Sequence, residues 1–248
     1  MPRTICIANQ KGGVGKTTTA INVAACLARG GAEVLVIDLD PQCNATSGLG
    51  RRPSERHALV RPAALRDGVT TTDVERLRLI PGSRSFKDVE VLAQGTPERG
   101  ELLRSHLAHG LSAFDTVLID CPPSVGPLTQ VALAASDEVL MPIQCEFFAM
   151  EGLTQMISVI RKIMQHRGGK LAFCGIVLTM VEPALELAAE VESEVRDFFG
   201  DLVFETTVPR DVAVAEAAGH GQPVLDYAPR SRGTRGYIEL SLEVTDRV

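Results

Sequence analysis

The sequence lacks any charge-free apolar run near the roughly 18 residues that a membrane-spanning helix needs, so no span is expected. Its opening, MPRTICIANQ, has no apolar signal-peptide core, which makes a cytoplasmic location the expectation. Cysteine pairing is missing as well. Cys6, Cys26, Cys43, Cys121, Cys145 and Cys174 are scattered and form no CxxC, which argues against a zinc site or a disulfide framework and leaves small core residues as the expectation. Nor is there an excess of basic charge: a net charge of −6 argues against a uniformly basic nucleic-acid binder and leaves room for a local patch. No repeat, low-complexity stretch or linker interrupts the 248 residues, which read as one domain, 1–248. A hydrophobic fraction of 45% suits an ordinary globular core.

The stretch with the strongest signal is ICIANQKGGVGKTTTA, from Ile5 to Ala20. An apolar run from Ile5 to Ala8 reads as a strand, Gly12, Gly13 and Gly15 as a loop, and TTTAINVAACLA as the start of a helix. Glycines there let successive backbone N–H groups point at phosphate oxygens, and the helix N-terminus adds positive partial charge. Lys11, Gly12, Gly13, Val14, Gly15, Lys16, Thr17 and Thr18 are the candidate phosphate-binding set, with Lys16 reaching the β- and γ-phosphates and Thr17 holding Mg²⁺. The strict phosphate-loop pattern asks for glycine at position 10, where this chain has Gln10.

Two strand-end acids follow. AEVLVIDLD reads as a strand buried on both faces, ending at Asp40 and Pro41. A carboxylate just past such a strand lies where open α/β sheets bind ligands, so Asp40 is the candidate for orienting an attacking water, with Asp38 a supporting or Mg²⁺-linked group. FDTVLIDCPPS, from Phe114, delivers Asp120 to a turn stiffened by Pro122 and Pro123, as the candidate acid of the hydrated Mg²⁺. Thr17, Asp40 and Asp120 make up the candidate metal set.

The arginines between Arg51 and Arg66 read as a solvated surface rather than a docking site. LRLIPGS from Leu77 reads as a short strand and turn, and PERGELLRSHLAHGL from Pro97 as an amphipathic helix. Beyond Asp120, strands and helices alternate: SDEVLMPIQ, the helix from Met150 to Gln165, LAFCGIVLTM, the helix ALELAAEVESEVRDFF, and VFETTVP. The expected fold is a three-layer α/β arrangement, a mostly parallel twisted sheet with helices on both faces.

KGGVGKTTTAINVA, VLVIDLDPQCNATSGLG, FDTVLIDCPPS, PIQCEFFAMEGL and VPRDV stand in an order and spacing that resemble the ParA/Soj partition ATPases of the ParA/MinD superfamily, with its deviant Walker A P-loop. The resemblance implies a P-loop NTPase fold, ATP and Mg²⁺ as cofactors, and an ATP-dependent homodimer in which Lys11 crosses to the partner's nucleotide. It further implies adenine contacts near Met180 and from Pro209 through Arg210 to Asp211, non-specific binding of double-stranded DNA, stimulation by a ParB-type adaptor, and a place on the nucleoid. Soj-like chains often carry arginine where this one has Ala184 and Ala213. Arg210, Arg230, Arg232 and Arg235 are therefore the DNA-contact candidates. Cys43 stands where glycine is usual, which is expected to stiffen that loop.

Three other classes share the loop. A MinD-like membrane-cycling ATPase needs a basic amphipathic C-terminal helix, and YIELSLEVTDRV is net acidic, so no membrane partner is expected. A nitrogenase-reductase-like carrier needs a cluster cysteine between Cys43 and Cys121, where none occurs. An amide-forming synthetase is disfavoured by the DPQ and CPPS segments. A positioning ATPase for a non-DNA cargo is the principal alternative.

Overall fold

The computed structural model describes residues 2–60, 65–85, 104–105, 107, 111–146, 149–166 and 171–247. The expected helix from Pro97 falls largely outside the described residues, as do Phe147 and Phe148 of the PIQCEFFAMEGL segment.

Strands β1 (Arg3–Ile7), β2 (Val34–Asp38), β3 (Thr70–Thr71), β4 (Leu77–Ile80), β5 (Thr116–Asp120), β6 (Glu138–Gln144), β7 (Ala172–Val181) and β8 (Val203–Pro209) form one sheet in the order β3-β4-β2-β5-β1-β6-β7-β8. Every pairing is parallel except β3 with β4. The apolar runs explain this: Val34, Leu35, Val36 and Ile37 are all at 0% exposure, so β2 has no solvent face and both sides need helical cover. Alternation along the strand splits the core in two. Leu35, Ile37, Val117 and Ile119 pack on one face beneath α3 (Pro127–Ala135), α4 (Ala149–His166) and α5 (Glu186–Phe199). Val34, Val36, Ile5, Ile7 and Leu118 pack on the other beneath α1 (Lys16–Arg29), α6 (Val212–Gly219), α7 (Val224–Tyr227) and α8 (Arg232–Asp246). Each large aliphatic side chain so buried contributes roughly 1.5–3 kcal/mol.

Register sets the site. Asp120 is level with Ile7 on one side and with Asp38 on the other, so β1, β5 and β2 end in one plane. The chain leaves β1 for β2 on one side of the sheet and leaves β5 for β6 on the other, which opens a crevice at these strand ends. The short helix α2 (Asn44–Gly48) follows the Asp40 loop.

Charge is unevenly spread over this frame. From Glu182 to Glu205, eight carboxylates stand against Arg196 alone, most of them on α5. Among the described residues, no helix is long and apolar enough to cross a membrane.

Candidate nucleotide site

Gly13 (φ 78°) and Gly15 (φ 86°) take the left-handed conformation, which side chains with a Cβ resist, and Gly15 caps α1. The loop is pinned at both ends. The Lys11 amide donates to Asn9 Oδ1 at 3.0 Å while Asn9 Nδ2 holds the Pro142 carbonyl at 2.8 Å. The Thr179 hydroxyl lies 2.9 Å from the carbonyl oxygens of both Val14 and Ile143. Lys16 folds back over the loop and donates from Nζ to the Lys11 carbonyl at 2.8 Å. Burial lowers its pKa, against the pull of the Asp120 and Asp40 carboxylates. The Lys11 ammonium is ion-paired with Glu146, which follows β6. Glu146 is not among the sequence candidates; sheet order, rather than any local motif, brings it here.

Thr17 donates its hydroxyl to Asp120 Oδ2 at 2.8 Å. Asp120 is at 0% exposure, and its Oδ1 has no hydrogen-bond partner among the described residues. Burial, and after it the nearby Asp38 charge, raises the Asp120 pKa. A buried carboxylate oxygen in want of a partner, beside a hydroxyl at the first turn of a phosphate-loop helix, fits Mg²⁺. That ion takes one or two protein oxygens and completes its shell with water and phosphate. When bound, it neutralises charge developing on the phosphates.

Asp40 is nearly buried, its Oδ1 accepting the Gln42 amide at 2.9 Å and its carbonyl accepting the Cys43 amide at 2.8 Å. Cys43 has φ 55°, in the left-handed region that favours glycine, and carries a fully buried thiol there. Asp38, by contrast, is occupied by its own loop: its carboxylate accepts the Thr46 hydroxyl, the Thr46 amide and the Asp40 amide.

Met180, itself at φ 51°, sits at the end of β7 beside Gly15, and Gln144 Nε2 lies 3.1 Å from its sulfur. Val181 pairs with Pro209, so Met180 and the Pro209–Asp211 turn meet at one rim of the crevice. Asp211 there is a helix cap. Its carboxylate accepts the Ala213 amide at 3.0 Å, starting α6, and the Gly233 amide at 2.8 Å, in the first turn of α8. An aspartate directly before VAVAEAA is a cap signal legible in the sequence.

The arginine candidates divide. Arg210 pairs with Glu182 at 2.5 Å and Arg235 with Glu239 at 2.8 Å. The sequence run from Arg230 to Arg235 contains no acid, but helical periodicity brings Glu239 one turn on into contact. Arg232 opens α8, and Arg230 is exposed just before it.

Fold, phosphate loop and strand-end acids together define a P-loop nucleotide hydrolase. An AAA-domain family model matches residues 2–173. The sporulation initiation inhibitor protein Soj of Bacillus subtilis is 43% identical over 249 residues, covering 98% of each chain. The chromosome partitioning protein ParA of Caulobacter vibrioides is 42% identical, covering 99% of this chain and 94% of that one. A cobyrinic acid a,c-diamide synthase structure from Mycobacterium smegmatis, with bound ADP and magnesium, superposes with a TM-score of 0.82 at 31% identity, covering 97% of this chain and 93% of that one. The chain belongs to the Soj/ParA family of the ParA/MinD ATPases. It is an ATPase that uses ATP and Mg²⁺.

Proposed function

We propose that this chain is a nucleoid-associated partition ATPase that drives the segregation of chromosomal or plasmid DNA. Two copies close on two ATP molecules, each Lys11 leaving Glu146 to reach the other's phosphates. Lys16, Thr17 and Asp120 hold the triphosphate and its metal, and Asp40 orients the attacking water. Met180 and the Pro209–Asp211 turn border the adenine. The ATP-bound dimer binds duplex DNA without sequence preference through Arg210, Arg230, Arg232 and Arg235, and a ParB-type adaptor stimulates hydrolysis.

The observation that carries the DNA reading is the hydrogen bond from the Gly233 amide to the Asp211 carboxylate. It ties the proposed adenine rim to the first turn of the arginine-bearing helix α8, which supports a route from nucleotide state to that surface. Net charge alone does not forbid this, because a dimer doubles the basic patches on one particle.

The test is a DNA titration at several salt concentrations with ATP, ADP and no nucleotide. If each subunit neutralises two phosphates, the four across the dimer give a log–log salt slope of roughly −3.6. Arg230→Glu with Arg232→Glu flattens that slope and leaves ATP hydrolysis unchanged. Equal slopes place the contact elsewhere, and no ATP-dependent binding at low salt points to a non-DNA cargo.

A further inference from the structure

We infer that Thr46 is a positioning residue for ATP hydrolysis, closing a clasp around the Asp38 carboxylate that fixes the backbone carrying Asp40. The inference rests on reading Asp40 as the group that orients the attacking water.

The clasp is a closed hydrogen-bond circuit. Asp38 ends β2 at 0% exposure. Its Oδ2 accepts the Thr46 hydroxyl at 2.5 Å and the Thr46 amide at 2.8 Å, and its Oδ1 accepts the Asp40 amide at 3.2 Å. One carboxylate thus grips both ends of the segment 40–46. The Thr46 hydroxyl also accepts the Gly82 amide at 2.8 Å, which ties the turn after β4 into the same circuit. Gly82 has no room for a side chain: a Cβ there would come within 3.0 Å of Asp38 Cγ and Oδ2 and of Cys43 Sγ. The Asp38 carbonyl accepts His57 Nε2–H at 3.0 Å, fixing the strand end from a fourth side.

This circuit explains why a charged group is kept beside Asp120. A carboxylate offers about four lone-pair sites on two oxygens and can accept all three donors, whereas an amide accepts on one oxygen alone and would turn its NH₂ toward other donors. Such rigidity matters because a water nucleophile is oriented only if its acceptor stays in place, and a displacement of about 1 Å costs on the order of 100-fold in rate. Thr46 touches neither phosphate nor metal in this scheme; it acts through Asp38 and the loop.

The experiment removes the hydroxyl and then restores it. Thr46→Val is expected to lower kcat roughly 10- to 100-fold while ATP Kd stays within about twofold, the amides of Asp40 and of residues 42–46 exchanging faster with deuterium. Thr46→Ser, which keeps the hydroxyl, is expected to recover most of kcat. Thr46→Ala serves as a second deletion of the hydroxyl. Wild-type kcat in Thr46→Val, in a preparation where Asp40→Ala is inactive, overturns the clasp. So does a Ser variant as impaired as the Val variant. Melting of both deletion variants at the assay temperature also overturns it, because the hydroxyl would then serve only stability. An Asp40→Ala protein that turns over normally removes the reading of Asp40 itself, a separate failure.

Discussion

Thr17 Oγ1 and Asp120 Oδ2 lie 2.8 Å apart, joining the first turn of α1 to the end of β5. The other Asp120 oxygen is buried without a partner among the described residues. The pair is therefore set for a metal, and Asp120→Asn is expected to uncouple ATP affinity from Mg²⁺. The wild type should bind ATP at least about tenfold tighter with Mg²⁺ than with a chelator, and the variant should show little difference. Calorimetric titration with and without Mg²⁺ measures this; an undiminished Mg²⁺ effect in the variant removes Asp120 from the metal site.

The two lysines of the loop are expected to have separate tasks. Lys16→Ala is expected to abolish tight ATP binding, since its ammonium is held directly over the phosphate loop. Lys11 is paired in the single chain with Glu146, so Glu146→Gln is expected to strengthen ATP-dependent dimerisation and Lys11→Ala to weaken it. Sedimentation velocity with ATP separates the cases. A Gln variant no more dimeric than wild type means that the pair does not restrain Lys11.

Asp38 supplies a pH signature. Burial pushes its carboxyl up to about 6 from the ordinary 3.8. The folded chain holds a proton that the unfolded chain releases between those values. The resulting stabilisation is therefore fully present below the unfolded pKa and lost as pH rises through the folded one. From pH 4.5 to 7.5, nucleotide-free wild type should lose unfolding free energy relative to Asp38→Asn, which cannot titrate there and also relieves Asp120 of the neighbouring charge. Urea melts of both proteins at the two pH values give the difference, and a pH-independent gap would mean an unshifted carboxyl.

Cys43 sets backbone strain against packing. Glycine there relieves roughly 1–2 kcal/mol of left-handed strain. It also adds unfolded-chain entropy worth roughly 0.5–1 kcal/mol and gives up the buried thiol, so Cys43→Gly should fall within about 1 kcal/mol of wild type. A β-branched side chain suffers in the same conformation without compensation, and Cys43→Val should cost about 2 kcal/mol or more. Thermal unfolding ranks the three proteins; a Val variant as stable as wild type would show that the loop readily leaves the φ 55° conformation.

What the sequence makes legible is what lies close together along it. The loop from Lys11 to Thr17, the apolar strands delivering Asp40 and Asp120, and the alternation of strands and helices are all local patterns, and the fold read from them is the one found. Partners made by sheet order are not local. Glu146 meets Lys11 because β6 lies beside β1, and Gly82 meets Thr46 because β4 lies beside β2. LRLIPGS reads as connective, yet its glycine closes the circuit around Asp38. Helical periodicity hides one partner more: Glu239 follows the arginine run by a single turn.

The carboxylates of α5 and the arginines at the start of α8 lie on helices that cover opposite faces of one sheet. The β-sheet thus stands between the most acidic helix and that arginine cluster. The segment from Glu182 to Glu205 carries more negative charge than the chain as a whole, so the remainder is close to neutral. A polyanion in solution is expected to be repelled more strongly from the face that α5 covers than from the rest of the surface. A chain of net charge −6 can in this way approach a negatively charged lattice in one preferred attitude, and it is the lopsidedness of its charge rather than the total that sets this attitude.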